Sequence, residues 1–169
     1  MSFEFQPLLS GSRVRLRPLL QEDFSALRQS AADPLIWEQH PAKRFQPDVF
    51  EGYFTESLES SGALIVEMIE SGEVIGSSRY HGYDEEESVI EIGWTFLVRK
   101  YWGSGINAEI KAMMLKHAFQ FVDSVIFLVA PENIRSQTAV QKIGAVREGT
   151  RLRGSGTEDY LYRIRKPHE

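Results

Sequence analysis

The sequence contains no cysteine, which excludes disulfide frameworks, Cys-ligated zinc, iron–sulfur clusters and a thiolate nucleophile together. It has no apolar run near the ~18 residues that a membrane-spanning helix needs. Met1 to Pro18 carries neither a basic leader nor an apolar stretch of the secretory type, so a cytoplasmic protein with no membrane partner is expected. Repeats, low-complexity tracts and long Pro/Gly/Ser linkers are missing too, and residues 1–169 read as a single domain. Positive charge is in deficit: 19 Lys and Arg against 24 Asp and Glu leave a net charge of −5. Such a chain is a poor general partner for nucleic acid, because neutralising phosphates takes a basic face. His40, His81, His117 and His168 show no ligand spacing, so no metal site is expected.

What is present is ordinary for a globular domain: 42% hydrophobic and 25% charged residues, enough for a core without staples. Arg13-Val14-Arg15-Leu16-Arg17 alternates strictly and predicts a strand with three arginines on its polar face. Residues 21–32 carry Phe24 and Leu27 at helical spacing. Residues 35–46 form an irregular, unusually aromatic loop, and Pro47 suits the first turn of a second helix. Residues 63–69, 74–83 and 88–98 predict a meander of strands. Gly103-Ser104-Gly105 then opens a helix with Ile106, Ile110, Met114, His117 and Phe121 on its apolar stripe, leaving Glu109 and Lys111 as surface charges. Residues 125–130 are wholly apolar, the mark of a strand buried on both faces. A helix over residues 133–143 is closed by Gly144. Strands near 145–148 and 158–164 flank a Gly154-Ser155-Gly156 turn. The order β-α-α-β-β-β-α-β-α-β-β predicts an α/β fold: one mixed, mostly antiparallel sheet with helices on both faces.

Chemistry points first to Val98-Arg99-Lys100-Tyr101-Trp102-Gly103-Ser104-Gly105, between a strand and a helix. Glycines there let the backbone approach a ligand, and free N–H groups at a helix N-terminus suit a phosphate. Arg99 and Lys100 add charge. The alternative is a tight turn with Trp102 as core packing. Ala108 stands where a dinucleotide fingerprint needs its third glycine, and no Gly-Lys-Ser/Thr follows. A pyrophosphate outside the usual NAD and ATP folds is the reading.

A second signal follows in Asn133-Ile134-Arg135-Ser136 and Gln141-Lys142-Ile143-Gly144-Ala145. With the first, it resembles the GNAT N-acetyltransferase superfamily, specifically its RimJ/RimL-like branch. That family's Gln/Arg-x-x-Gly-x-Gly/Ala motif is matched by Lys100 to Gly105, with Lys in first place. Its second motif is matched by Asn133, Ser136 and Lys142-Ile143-Gly144, and its preceding strand by Glu91-Ile92-Gly93-Trp94. The resemblance implies acetyl-CoA as acyl donor, bound in an opening between the strands at 88–98 and 124–130. Its pyrophosphate would lie on Arg99, Lys100, Trp102, Gly103, Ser104 and Gly105, with Asn107 touching it. Pantetheine would run beside Phe96, Leu97 and Val98, and the thioester would reach Asn133 and Ser136. The implied acceptor is an amine-bearing small molecule or a protein N-terminus.

Acetyl transfer needs a deprotonated amine, a stabilised oxyanion and a proton for the thiolate, but no covalent nucleophile. Family members often use a Tyr one turn beyond Ser136; Val140 stands there, which leaves Ser136 as acid or as a helix-capping hydroxyl. Glu91, an acid within an apolar strand, is either a base or half of a cross-strand ion pair. Water and His81 are the alternative bases. Trp37, Glu38, His40 and His81 lie where the family builds its acceptor pocket. Two other classes compete: a non-catalytic acyl-CoA-binding module, and a small hydrolase or nucleotide-binding protein, for which no motif exists. A homo-oligomer is compatible with the sequence.

Overall fold

A computed structural model describes residues 2–153 and 156–168. Eight strands form one sheet: β1 (Leu9–Ser10), β2 (Val14–Pro18), β3 (Ala63–Met68), β4 (Val74–Asp84), β5 (Val89–Leu97), β6 (Ser124–Val129), β7 (Val146–Leu152) and β8 (Glu158–Arg165). Their order is β1-β2-β3-β4-β5-β6-β8-β7, antiparallel throughout except where β5 meets β6. The helices are α1 (Phe24–Ala31), α2 (Pro47–Ser60), α3 (Ile106–Ala118) and α4 (Ile134–Lys142). No helix is long and apolar enough to cross a membrane among the described residues. The single mixed, mostly antiparallel sheet agrees with the sequence reading. The structure adds β1, too short to show an alternating pattern. It also makes Gln21–Asp23 a 3-10 turn ahead of α1. There Arg17 grips Asp23 through both terminal guanidinium nitrogens, at 2.9 and 2.8 Å, while Asp23 accepts the Leu20 N–H. Of the turn expected at Gly154-Ser155-Gly156, Gly154 and Ser155 lie outside the described residues.

Alternation in β3 shows how the sheet divides two cores. Leu64 and Val66 join Ile106, Ile110 and Met114 of α3 on one side. Ala63 and Ile65 join Leu27 of α1 and Phe50 and Phe54 of α2 on the other. Burying each large side chain contributes about 1.5–3 kcal/mol. In β5 the alternation slips. Ile90 and Ile92 face α3, but one extra residue is inserted against β4 between the Arg79–Gly93 and Ser77–Phe96 pairs, and Trp94 takes φ 53°. Phe96 therefore joins the α1–α2 core, and Leu97 returns to the α3 side. Such a bulge bends its strand and increases its twist. Accordingly β5 pairs with β6 only at Val89–Ser124, Ile90–Val125 and Glu91–Ile126, after which the strands part.

Of the two charges expected on the surface of α3, Glu109 is half-buried and Lys111 lies inside. Glu109 accepts the backbone N–H groups of Ser12 and Arg13, at 3.1 and 3.2 Å, and so ties the β1–β2 turn to the helix. Lys111 is only 5% exposed. Its Nζ donates to Thr95 Oγ1 at 2.8 Å, which in turn pairs with Ser78 Oγ. The apolar stripe of α3 is wide enough to carry the lysine stem inward, and a hydroxyl pair on the sheet satisfies its tip.

Burial pushes Lys111 down to about 7, against an ordinary 10.5. The unfolded chain then holds the proton more tightly between those values, so this group makes stability rise as pH climbs from about 7 towards 10. Lys111→Met should remove that rise and stabilise the protein at pH 7 by about 1–3 kcal/mol. Denaturant melts of both proteins across this pH range check it; a parallel pH dependence in the two would refute it.

Candidate active site

Gly103 and Gly105 take φ of 73° and 88°, where side chains with a Cβ are disfavoured. They lead the chain from a 3-10 turn at Arg99–Tyr101 into α3. The Ile106 N–H is taken by Ser104 Oγ at 3.3 Å. Those of Gly103, Gly105, Asn107 and Ala108 meet no protein acceptor among the described residues. Free donors at the positive end of a helix make a cradle for an anion. Arg13 stands beside it: its Nη1 donates to the Ser104 carbonyl at 3.0 Å, and its Nη2 lies 3.3 Å from where a Gly105 Cβ would be. Arg99 and Lys100 are engaged elsewhere, Arg99 with Asp33 and Lys100 with Glu73 at 3.0 Å.

Beyond Glu91, the edge of β5 that turns towards β6 has no strand partner. A slot opens there, walled by buried Phe96 and Leu97 and half-buried Val98 on the β5 side. Trp102 Nε1 occupies the Leu97 carbonyl at 2.8 Å. At the start of α4 opposite, buried Asn133 is the cap, its Oδ1 accepting the Ser136 N–H at 3.2 Å. The half-buried Ser136 hydroxyl makes no hydrogen bond among the described residues, so no capping duty occupies it. Val140 is buried in the core. The Arg135 guanidinium stacks 3.9 Å over Trp102, and the Arg135 N–H donates to Gln39 Oε1 at 2.9 Å. That stack spans the two lips of the slot.

Glu91 sits on the last pair before the strands part, 6% exposed, on the sheet face that also carries Gly93, Trp94 and Phe96. Its Oε2 lies 3.7 Å from Arg153 Nη2 but has no hydrogen-bond partner among the described residues. Burial holds its carboxyl above the ordinary value, against the pull of Arg153. A Cβ at position 93 would lie 3.2 Å from Oε2, so Gly93 keeps space beside this oxygen. The ion pair weighed as an alternative for Glu91 thus exists, but with Arg153 of the β7–β8 turn, and it is shared with Asp159.

The remaining expected site residues surround this face unevenly. His81 pairs with Glu91 across β4 and β5, is exposed, and stacks edge-on to Trp94 at 5.2 Å. Burial and Arg79 hold it below the ordinary value. His40 is half-buried against Trp37 and pushed down to about 4 by burial and the Arg44 charge. Trp37 is a core residue, 1% exposed, its Nε1 donating to the Ala31 carbonyl while its ring lies 5.2 Å from Phe96. Glu38 is exposed, and its backbone carbonyl accepts from Lys43 Nζ. Among the described residues no group of three or more His, Asp or Glu could hold a metal ion. The sequence reading gave no site role to Arg13, Gln39, Arg44, Arg79, Arg135 and Arg153. Arg13 lay in the alternating strand, Arg79 on one strand face with His81, and Arg135 within the second motif; Gln39, Arg44 and Arg153 carried no signal.

Known proteins give the same picture. The family model described as Acetyltransferase (GNAT) domain matches residues 13–146. The uncharacterized N-acetyltransferase p20 of Bacillus licheniformis is 27% identical, over 94% of this chain and 96% of its own. An acetyltransferase structure from Agrobacterium tumefaciens C58 superposes with a TM-score of 0.75 at 26% identity, covering 98% of both chains. A GNAT-family acetyltransferase from Bacillus anthracis superposes at 0.77 with 23% identity, over 94% of this chain and 98% of its own, and shows the same fold. With the cradle, the parted strands and a family match over most of its length, the chain belongs to the GNAT family of acetyltransferases.

Proposed function

We propose that the protein transfers an acetyl group from acetyl-CoA to a primary amine, which attacks directly while both are bound. The observation that carries this reading is Glu91: a buried carboxylate where the slot begins, with one oxygen free of hydrogen bonds. Acetyl-CoA would supply an activated acyl group. Its fit rests on the free N–H groups of Gly103, Gly105, Asn107 and Ala108 for a diphosphate, and on the open β5 edge for an extended amide tail. Arg13, Arg99, Lys100, Trp102, Ser104 and Asn133 border that path. Glu91 takes the proton that the amine must lose, and the uncommitted Ser136 hydroxyl gives one to the departing sulfur. The name of p20 supports a nitrogen acceptor. The RimJ/RimL-like assignment rests on Asn133, Ser136 and Lys142-Ile143-Gly144. A cytoplasmic setting fits the cysteine-free sequence.

A Cβ at Gly103 would meet no protein atom within 4 Å and would project from the cradle, at a left-handed strain of about 1–2 kcal/mol. Gly103→Ala should therefore stay folded and weaken CoA binding about tenfold, by calorimetry. Wild-type affinity would move the site elsewhere. Because Asn133 does the capping, Ser136→Ala should leave Tm unchanged and lower kcat about tenfold or more, with CoA affinity nearly constant. An unchanged kcat would assign that proton to water.

Glu91 must be deprotonated to act, and its raised pKa lifts the acid limb of kcat/KM above the ordinary carboxylate range. Glu91→Gln should erase that limb and lower kcat/KM about 10²-fold or more at neutral pH. The folded state disfavours the ionised carboxyl, so wild-type stability from this group falls as pH rises from its unfolded value through the folded one. The Gln variant should then melt no lower than wild type at pH 7. A wild-type pH profile would make Glu91 structural and turn attention to His81 or water.

A further inference from the structure

Three cations gather on the sheet face that carries Glu91. Arg44 comes from the loop before α2, Arg79 from β4 and Arg153 from the turn after β7. Arg79 is 2% exposed; its Nη1 meets Glu56 at 3.1 Å, its Nη2 donates to Ser57 Oγ at 2.7 Å, and its Nε has no partner. Its guanidinium lies 4.2 Å from the Trp94 ring, with that of Arg153 at 5.8 Å from the same ring. Arg44 lies 4.4 Å from the Tyr53 ring and 5.3 Å from Trp37. These two rings flank Phe96, at 6.5 and 5.2 Å, which places Arg44 on the same wall.

The carboxylates nearby are committed to two of these charges: Glu56 pairs with Arg79, and Asp159 and Glu91 both lie against Arg153, which leaves none paired with Arg44. Arg44 has no ion pair among the described residues, and its Nη1 is shielded from solvent without a hydrogen-bond partner. Burial, with repulsion from Arg79 and Arg153, works against its charge and outweighs the attraction of Tyr53 and Glu56. A desolvated guanidinium without a counter-ion is unfavourable in the free protein, and a bound monoanion offsets that cost. Planar donors held between aromatic rings match the geometry of a carboxylate.

We infer that the acceptor is a free amino acid, its carboxylate held by Arg44 and Arg79 and its amine at Glu91. The inference rests on the acetyltransferase reading above. The amine nitrogen bonds to the acetyl carbon as the carbon–sulfur bond breaks. The amine's proton passes to Glu91, and the sulfur leaves as a thiol with a proton from Ser136 or water; solvent then returns a proton to Ser136 and takes the one from Glu91, giving an N-acetylamino acid and CoA. Polyamines are disfavoured, because several positive charges would enter beside three guanidiniums. A peptide N-terminus has no carboxylate next to its amine.

The test compares the common amino acids with their carboxamides and with the corresponding decarboxylated amines, all primary amines. Thiol release gives kcat and KM, and calorimetry on the CoA-loaded protein gives binding. At least one amino acid should exceed its amide about tenfold or more in kcat/KM, mainly through KM. Arg44→Gln should raise KM for that amino acid much more than for its amide, and Arg44→Lys should restore part of the preference. Amides or decarboxylated amines reacting as well as the acids would overturn the inference and leave the acetyltransferase reading intact. If CoA binds but no amine releases thiol, the catalytic reading fails, and calorimetry alone decides the acceptor. Binding of an acid but not its amide supports the inference, and equal or absent binding overturns it. Should Arg44→Gln unfold, the wild-type comparison of acid with amide is decisive by itself.

Discussion

β5 and β6 remain hydrogen-bonded only from Val89 to Glu91, because the bulge at Trp94 bends β5 away before β6 has finished pairing with β8. A non-glycine residue at φ 53° is held there against its own preference, by Arg79 over its ring and by the α1–α2 core. Most of the functional geometry follows from that departure. It leaves a strand edge without a partner inside a sheet, and it puts Glu91 at the inner end of the gap. It also reverses the alternation of β5, so that Phe96 meets Trp37 and Tyr53 instead of α3.

The electrostatics of the molecule are sharply local. A chain with a net charge of −5 gathers three guanidiniums on one sheet face and leaves an array of unpaired N–H donors at the start of α3. On either side of β5 lies a buried ionisable group, Glu91 facing α2 and Lys111 facing α3. Burial biases both towards their neutral forms, raising the acid and lowering the base. Under the proposed function the first would tune a proton acceptor, whereas the second only weighs on stability.

What could be read from the sequence was what depends on neighbours along the chain. Gly103 and Gly105 before an apolar stripe, and Asn133 three residues ahead of Ser136, are local signals, and the structure uses both locally. Strand positions follow likewise from local patterns, alternation in residues 13–17 and an unbroken apolar run in 125–130. The bulge does not, since a tryptophan in a β-branched run gives no hint of left-handed backbone. Lys111 was misread because a helical stripe defines a direction and not a depth. Arg44, Arg79 and Arg153 meet only after three distant segments have folded over β5, so no spacing between them carries information.

The indole of Trp102 gives the slot a built-in optical property. Its ring lies under the Arg135 guanidinium, and its Nε1 is fixed to the Leu97 carbonyl, on the edge that an extended ligand would line. Of the other two tryptophans, Trp37 is sealed in the core and Trp94 lies beneath Arg79 on the face that carries Glu91. The three indoles thus occupy three separate environments, and with one retained at a time, emission from Trp102 would follow the proposed cofactor path while emission from Trp94 would follow the proposed acceptor face. Loading of the two would then be visible as two independent signals, without any label added to the protein.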